Sequence, residues 1–92
     1  MRFYLCSIHD DMYYNGCTLH TLSDRILIRF FFKKWIIPHE MITRIHLKNL
    51  NIGVEYTNRT GTNYIEILTF LSLCNERLER ELESIGKPVQ YH

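Results

Sequence analysis

Two Cys-x-x-His pairs near the start of the sequence have the residue types for chemistry. Cys6 and His9 form one pair, and Cys17 and His20 form the other. Two thiolates and two imidazoles are a ligand set of structural zinc sites. Residues three apart on an extended strand point to opposite faces, however, so each pair would need a tight turn between its members. The intervening residues are typical of strands, so we predict buried cysteines, surface histidines and no metal or other cofactor.

Nucleophilic catalysis is the second chemistry that these residue types allow. A catalytic thiol needs an adjacent base that a third group orients, and no glycine-rich turn presents Cys6 or Cys17. Cys74 lies in the first turn of a predicted helix, where the helix dipole lowers the pKa of a thiol. It also falls on the apolar stripe of that helix, so we expect it to be buried. We predict a protein that is not an enzyme.

The segment 30–35, which reads FFFKKW, has the clearest potential for binding. On a strand, Phe30 and Phe32 would face the core. Phe31 and Lys33 would then face outward. Exposed aromatic and basic side chains together can dock a protein, stack nucleic-acid bases or contact an anionic membrane. The alternative is that the outward-facing aromatic residues close a small second core at a corner of the sheet.

A protein partner, or a second copy of this chain, fits that segment best. Nucleic acid is not favoured, because one Lys-Lys pair is far shorter than the basic track that phosphate binding uses. Contact with a membrane would be peripheral at most. The predicted partner-binding residues are Phe31, Lys33, Lys34, Trp35, His39 and Arg44.

Size and composition indicate one globular domain over residues 1–92. The chain is 46% hydrophobic and has a formal net charge of +1, which does not suggest a dedicated nucleic-acid binder. Its three cysteines cannot all pair within one chain, and it opens on a strand-like run rather than a secretory signal. We therefore expect a cytoplasmic protein. No apolar run reaches the roughly 20 residues of a membrane span.

Period-two alternation predicts about seven short strands before residue 71. The strongest pattern extends from Arg25 to Lys33, with one fully apolar face formed by Ile26, Ile28, Phe30 and Phe32. Residues 14–16, which read YNG, indicate a turn between the first two strands. Residues 38–42 indicate a single turn of helix after a short strand that stops at a proline.

One amphipathic helix is predicted from Ser72 to Ile85, because Ser72 can cap its start and Gly86 can end it. Its apolar residues recur at three- and four-residue steps and form one stripe: Leu71, Cys74, Leu78, Leu82 and Ile85. A single helix cannot build a core alone, so this stripe should cover the open side of the sheet. The predicted fold class is mainly β with one C-terminal helix, that is, α+β.

The passage from Cys17 to Gly86 resembles the pleckstrin-homology-like (PH-like) superfold, in the compact form of bacterial PH and GRAM domains. A strand–turn–strand is followed by residues 35–45, which read WIIPHEMITRI, and then by two strands, a helix and Ile-Gly. The resemblance implies a strongly bent, barrel-like sheet of about seven antiparallel strands, with the helix of residues 72–85 as a plug.

The same resemblance bears on function. Phosphoinositide-binding members carry Lys and Arg in the first strand–strand loop, whereas residues 9–15 read HDDMYYN here, so inositide binding is not carried over. We expect a non-catalytic interaction module that binds a protein or itself, for which an exposed strand edge would suit. Two alternatives stay open: peripheral binding of an anionic lipid or acidic ligand, and a small phage or mobile-element inhibitor protein.

Overall fold

The computed structural model describes residues 2–9, 12–48, 51–69 and 72–92. Within these ranges the elements follow in this order: β1 (Arg2–His9), β2 (Tyr13–Thr21), β3 (Arg25–Phe30), β4 (Lys33–Pro38), the 3₁₀ turn η1 (His39–Met41), β5 (Ile42–Leu47), β6 (Asn51–Asn58), β7 (Gly61–Thr69), α1 (Ser72–Glu83) and β8 (Val89–Tyr91). The predicted class, mainly β with a helix near the end of the chain, is confirmed. The single helical turn predicted over residues 38–42 corresponds to η1.

All eight described strands belong to one sheet, in the order β4-β3-β2-β1-β7-β6-β5-β8. Neighbouring strands are antiparallel except β5 and β8, which are parallel. The prediction of about seven antiparallel strands is therefore wrong about β8, which follows the helix. Three residues are too few to show a strand period, and their parallel partner is more than 40 positions away in the sequence.

The sheet must curl strongly because the chain crosses between its two ends in one short step. β4 is at one end, β5 lies next to the other end, and η1 alone connects them. The four residue-to-residue steps from Pro38 to Ile42 span at most roughly 14 Å. β4 and β5 are six strand positions apart in the sheet, and in a flat sheet that separation would be roughly 29 Å. The ends approach each other, but the described strands form an open sheet. The closed-barrel form of the prediction is wrong.

The core lies on the inner face of this curled sheet. Alternating positions of the strands are buried, for example Ile26 and Ile28 on β3 and Ile65 and Ile67 on β7. Helix α1 covers that face with Leu78 and Leu82, which are 0% and 1% exposed, as its apolar stripe predicts. Leu71 lies outside the described residues, as does the side chain of Cys74. None of the helices in the described part of the chain is long and apolar enough to cross a membrane.

The helix ends at Glu83, two residues before the predicted Ile85. Ile85 lies in the turn that follows and is half-buried. Gly86 has φ +85, a left-handed conformation that glycine adopts without a steric penalty. The helix therefore ends before Gly86, and the glycine follows the turn at residues 84–85 rather than the last helical residue, so the helix is shorter than the apolar stripe suggests.

The turn predicted over residues 14–16 is wrong, because these residues belong to strand β2. The register between β1 and β2 shifts at this point, so that Asn15 and Gly16 lie opposite the single residue Ser7. This is a β-bulge, and Gly16 supplies its left-handed residue with φ +83. The buried Ser7 Oγ donates a hydrogen bond to Asn15 Oδ1 at 2.6 Å.

Candidate interaction site

The β3–β4 hairpin breaks the long strand that the sequence predicts over residues 25–33. β3 and β4 pair antiparallel up to Phe30 and Lys33, and Phe31 and Phe32 form the turn between them. Phe31 has φ +47. A left-handed conformation costs an ordinary residue roughly 1–2 kcal/mol, and tight hairpin turns therefore favour Gly and Asn. A bulky aromatic residue in such a conformation is a recognised sign of a functional constraint.

Both phenylalanines of this turn point into solvent. Phe31 is 84% exposed and Phe32 is 104% exposed. The outward position predicted for Phe31 agrees with the structure, and the core position predicted for Phe32 is wrong, because the turn removes it from the strand. Together with Lys33 and Lys34, which are exposed, these residues form a surface that we call the tip patch. Adjacent exposed aromatic side chains of this size mark interaction surfaces more often than scattered apolar residues do.

Behind the tip patch, Trp35 belongs to a small aromatic cluster. Its ring lies 5.1 Å from that of Tyr14, which in turn lies 5.5 Å from Phe30. Lys33 Nζ donates a hydrogen bond to Tyr14 Oη at 2.9 Å and lies 5.7 Å from the Trp35 ring centroid. Trp35 thus belongs to the second core considered from the sequence, whereas Phe31 touches this core only at its edge, with its ring 4.7 Å from that of Phe30. This cluster holds the base of the hairpin and orients Lys33.

The outer face of the hairpin carries a second set of residues that the sequence did not reveal. Leu27 lies opposite Ile36, which is 46% exposed, and Arg29 lies opposite Lys34. We call these four residues the outer ladder. Like charges directly opposite each other destabilise a sheet, so the Arg29–Lys34 pair favours an acidic ligand. The alternation in both strands would have revealed the ladder if the turn had been placed at residues 31–32.

An open groove of about 340 Å³ lies beside the tip patch, on the same side as the outer ladder. Arg29 and Phe31 line it from the hairpin, and Thr18 and His20 line it from β2. The groove offers an arginine, an imidazole and an aromatic ring to one ligand. It extends the accessible surface from the hairpin onto the next strand.

Strand β4 is also the end strand on its side of the sheet, since no described strand pairs with its outer edge. An end strand presents a row of backbone N–H and C=O groups that another strand can bind. β4 has six residues and ends at Pro38, which has no N–H to donate. The lysines at its start are typical of edges that are protected from indiscriminate pairing.

The structure separates the remaining predicted partner-binding residues from the tip patch. His39 lies at the opposite end of β4, about 17–20 Å along the strand, and its backbone N–H donates to the Asp24 carbonyl at 2.9 Å. Its Nε2 is buried, and no hydrogen-bond partner is found for it in the described part of the chain. Arg44 lies on β5, near the other end of the sheet, where Nη1 donates to Gln90 Oε1 at 3.4 Å.

The four residues of the Cys-x-x-His pairs do not come together as one site. Cys6 and Cys17 lie opposite each other on β1 and β2, and both are fully buried, as predicted. His9 is exposed, as predicted, and His20 is half-buried on the outer face. In the described ranges, no group of three or more Cys, His, Asp or Glu side chains is arranged to hold a metal ion.

Burial determines the chemistry of the two thiols. Desolvation, with a smaller contribution from the neighbouring Cys17, raises the pKa of Cys6 from its ordinary value of 9.0 to about 12. Desolvation also raises the pKa of Cys17. The thiolate is the reactive form of cysteine, so neither residue has the low pKa of an activated nucleophile.

Comparison with protein families finds no family model that matches this chain, and comparison with curated proteins finds no significantly similar sequence. The hairpin combines an exposed aromatic tip, a basic and apolar outer face, and an open strand edge.

Proposed function

We propose that this protein is a non-catalytic interaction module that binds a protein partner by strand addition along β4. The observation that carries the proposal is that β4 is the end strand and that the turn before it exposes two phenylalanines. Strand addition uses backbone hydrogen bonds for affinity and alternate side chains for specificity. An exposed aromatic residue at one end of the edge would serve as the anchor that such interfaces need.

The outer ladder specifies the chemistry of the partner strand. A strand added beside β4 would place alternate side chains next to Lys34 and Ile36 on the outer face. An acidic residue beside Lys34 would also offset its repulsion with Arg29. Each favourable cross-strand pair contributes roughly 0.2–1 kcal/mol. The partner that fits is an extended segment in which acidic and apolar residues alternate.

A second copy of this chain fits the edge less well than an acidic partner. Antiparallel pairing of two copies of β4 would place the lysines of each copy, Lys33 and Lys34, beside the far end of the other strand, and β4 supplies no acidic residue to face them. Such lysines are a common device against pairing between identical edges. Charge therefore favours a different protein, and sedimentation of the pure protein would reveal self-association directly.

We also propose that the scaffold is PH-like. A curled sheet whose inner face is covered by one helix supports this proposal. The parallel strand β8 is an addition to the arrangement that the resemblance implies. The sequence of residues 9–15, HDDMYYN, contains two aspartates and no lysine or arginine, and it remains the reason to look for a protein ligand rather than an inositide headgroup.

Phe31→Gly tests the role of the tip without unfolding the domain. Glycine adopts the left-handed conformation of residue 31 without strain, which stabilises the folded state. Glycine also loses more chain entropy on folding, which destabilises it by a similar amount. We expect the free energy of unfolding to stay within about 1 kcal/mol of the original value. Binding of a short peptide in which Glu and Val alternate should fall at least tenfold.

The matched control is Tyr91→Ala, which removes an aromatic side chain that is 64% exposed at the other end of the sheet. Peptide binding should survive this change. Nuclear magnetic resonance should show that β4 amides become protected from hydrogen exchange when the peptide binds. Equal binding of a peptide with Lys in place of Glu, or no change at β4, would contradict strand addition.

A second candidate function is contact with an anionic membrane, because Phe31 and Phe32 protrude beside Lys33 and Lys34. Exposed aromatic residues insert into the interface of a bilayer, and lysines bind anionic headgroups. Sedimentation with vesicles that contain or lack phosphatidylserine decides between the two functions. Salt-sensitive binding to the anionic vesicles alone, lost in Phe31→Gly, would favour the membrane.

A further inference from the structure

A hydrogen-bonded chain of three side chains lies at the opposite end of the sheet from the hairpin. His46 on β5 is at its centre: Nδ1 is 3.0 Å from His92 Nε2, and Nε2 is 2.5 Å from Glu55 Oε1. Glu55 belongs to β6, and His92 follows β8. Two imidazoles and a carboxylate from three separate segments thus meet on one face of the sheet.

We propose that His46 and His92 bind one divalent transition-metal ion of the zinc type. Two nitrogen ligands at roughly 2.0–2.1 Å from one zinc ion are roughly 3.3 Å apart when the coordination is tetrahedral. The two ring nitrogens are already 3.0 Å apart. A small turn of the exposed His92 ring would direct both lone pairs at one point between them.

Glu55 is placed to prepare His46 for this role. A carboxylate accepts hydrogen bonds, so it favours the tautomer of His46 that carries its proton on Nε2. The lone pair of His46 is then on Nδ1, the atom that faces His92. A metal-binding histidine whose other ring N–H donates to a carboxylate is a recurrent arrangement, because the carboxylate fixes the ring and increases its basicity.

The surroundings hold His46 more firmly than His92. The side chain of His46 is 12% exposed, and its ring lies 5.8 Å from that of Tyr64 in an edge-to-face contact. His92 is exposed, and its backbone N–H donates to the Leu47 carbonyl at 3.0 Å. One ligand is therefore fixed before the metal arrives, and the other needs only a side-chain adjustment.

Water would complete the coordination shell. Among the described residues, no third Cys, His, Asp or Glu side chain joins these two in a group that could hold a metal. Two protein ligands give a modest affinity and leave coordination positions open. Because His46 belongs to β5 and His92 follows β8, the ion would link the last strand of the sheet to its neighbour.

Titration of the untagged protein with zinc chloride at neutral pH tests the proposal. Calorimetry should show one ion per chain with a dissociation constant below about 1 mM, and zinc should raise the melting temperature. His46→Gln and His92→Gln should each weaken binding at least tenfold. Glu55→Gln should weaken it by roughly 10- to 100-fold, the usual effect of losing a carboxylate behind a ligand. The matched control is His9→Gln, which removes an exposed imidazole outside the site and should leave binding unchanged.

His92→Gln is the decisive variant, because residue 92 is exposed and its change should leave the circular dichroism spectrum intact. Imidazole nitrogen resonances should show zinc bound to Nδ1 of His46 and Nε2 of His92. No binding of zinc below about 1 mM would overturn the proposal, as would equal binding by His92→Gln and the original protein. Equal losses in His9→Gln and His92→Gln would overturn it too, since the zinc would then bind elsewhere.

Discussion

Gly53 on β6 lies directly under the ring of Tyr64 from the neighbouring strand β7. A Cβ atom added at residue 53 would overlap Tyr64 Oη and would be 2.7 Å from Tyr64 Cζ. Gly53 is not among the glycines with positive φ in the described chain, so alanine would fit its backbone conformation. Any cost of Gly53→Ala must therefore come from the tyrosine ring.

Two opposing effects set the expected magnitude. Replacement of glycine by alanine at a compatible site stabilises a protein by about 0.4–1 kcal/mol, because the unfolded chain loses freedom. Overpacking costs about 1–3 kcal/mol. The Tyr64 ring is 40% exposed and can swing outward, but it would then lose its contacts with His46 and with Lys48 Nζ, each 5.8 Å from the ring. We expect Gly53→Ala to destabilise the protein by about 1–2 kcal/mol.

A double-mutant cycle with Tyr64→Ala isolates this contact. In the Tyr64→Ala background the ring is absent, so Gly53→Ala should stabilise the protein by about 0.4–1 kcal/mol. Urea unfolding provides the assay. If the free energy of unfolding falls by about 1 kcal/mol per molar urea, the destabilisation expected for Gly53→Ala lowers the urea midpoint by about 1–2 M. The control is Gly61→Ala, where φ is +116 and no atom lies within 4 Å of the added Cβ. Gly61→Ala should change the free energy of unfolding by the same amount in the original protein and in Tyr64→Ala.

An equal effect of Gly53→Ala with and without the tyrosine ring would contradict the contact between Gly53 and Tyr64. Stabilisation of the original protein by Gly53→Ala would contradict it as well. Either result would mean that Tyr64 does not cover the glycine in solution. The site of His46 would then lack the ring that holds it against β6.

Two further predictions concern the core. Cys6 should react with a thiol-reactive disulfide about 10³-fold more slowly in the native protein than after unfolding at pH 8, because a pKa of about 12 rather than 9.0 leaves far less thiolate. Since the pKa is higher in the folded state, the unfolded chain loses this proton first. The stability contribution of Cys6 is therefore present below pH 9 and should fall by about 1 kcal/mol at pH 10. The urea midpoint of the original protein should fall as the pH rises, and it should fall less in Cys6→Ala. An equal fall in both proteins would contradict the raised pKa of Cys6. Leu82→Ala should cost about 2–5 kcal/mol, because it leaves a cavity between helix and sheet. The control is Glu76→Ala on the exposed face of the helix, which should lower the free energy of unfolding by less than about 0.5 kcal/mol. Similar losses for both variants would mean that the helix does not pack as described.

Local periodicity made much of the fold predictable. Strand residues alternate between core and solvent, so the pattern in the sequence identified Ile26 and Ile28 as inner residues. The three- and four-residue steps of the helix identified Leu78 and Leu82 in the same way. Such patterns depend only on neighbours in the chain, and tertiary packing did not override them here.

The turn at Phe31 and Phe32 was not predictable from the same signals. Residues 30–35 contain no glycine, asparagine or proline, and their apolar run continues the pattern of β3. The turn arises because Ile26 on β3 pairs with Ile37 on β4, which requires the chain to reverse between them. Pairing between strands therefore overrides the local preference, and Phe31 adopts an unfavourable left-handed conformation.

The candidate site was predictable only where it is local in sequence. Phe31, Lys33 and Lys34 were identified because aromatic and basic residues adjoin. His39 and Arg44 are close to them in sequence, but β4 and the crossing through η1 carry both away from the tip. His46 and His92 are 46 positions apart, and only the parallel pairing of β5 with β8 brings them together.

The two ends of the curled sheet present different edges, and the difference favours β4 for the proposed strand addition. β8 covers the edge that β5 would otherwise present, and β8 itself has only three residues, which is a common way to protect an edge. β4 has six residues and the exposed tip, so it offers a longer ladder and an anchor. A metal ion at His46 and His92 would hold β8 in place and keep the β5 edge closed. Loss of β8 should then create a second site for strand addition, with Ile45 and Leu47 next to it in place of the lysines of β4.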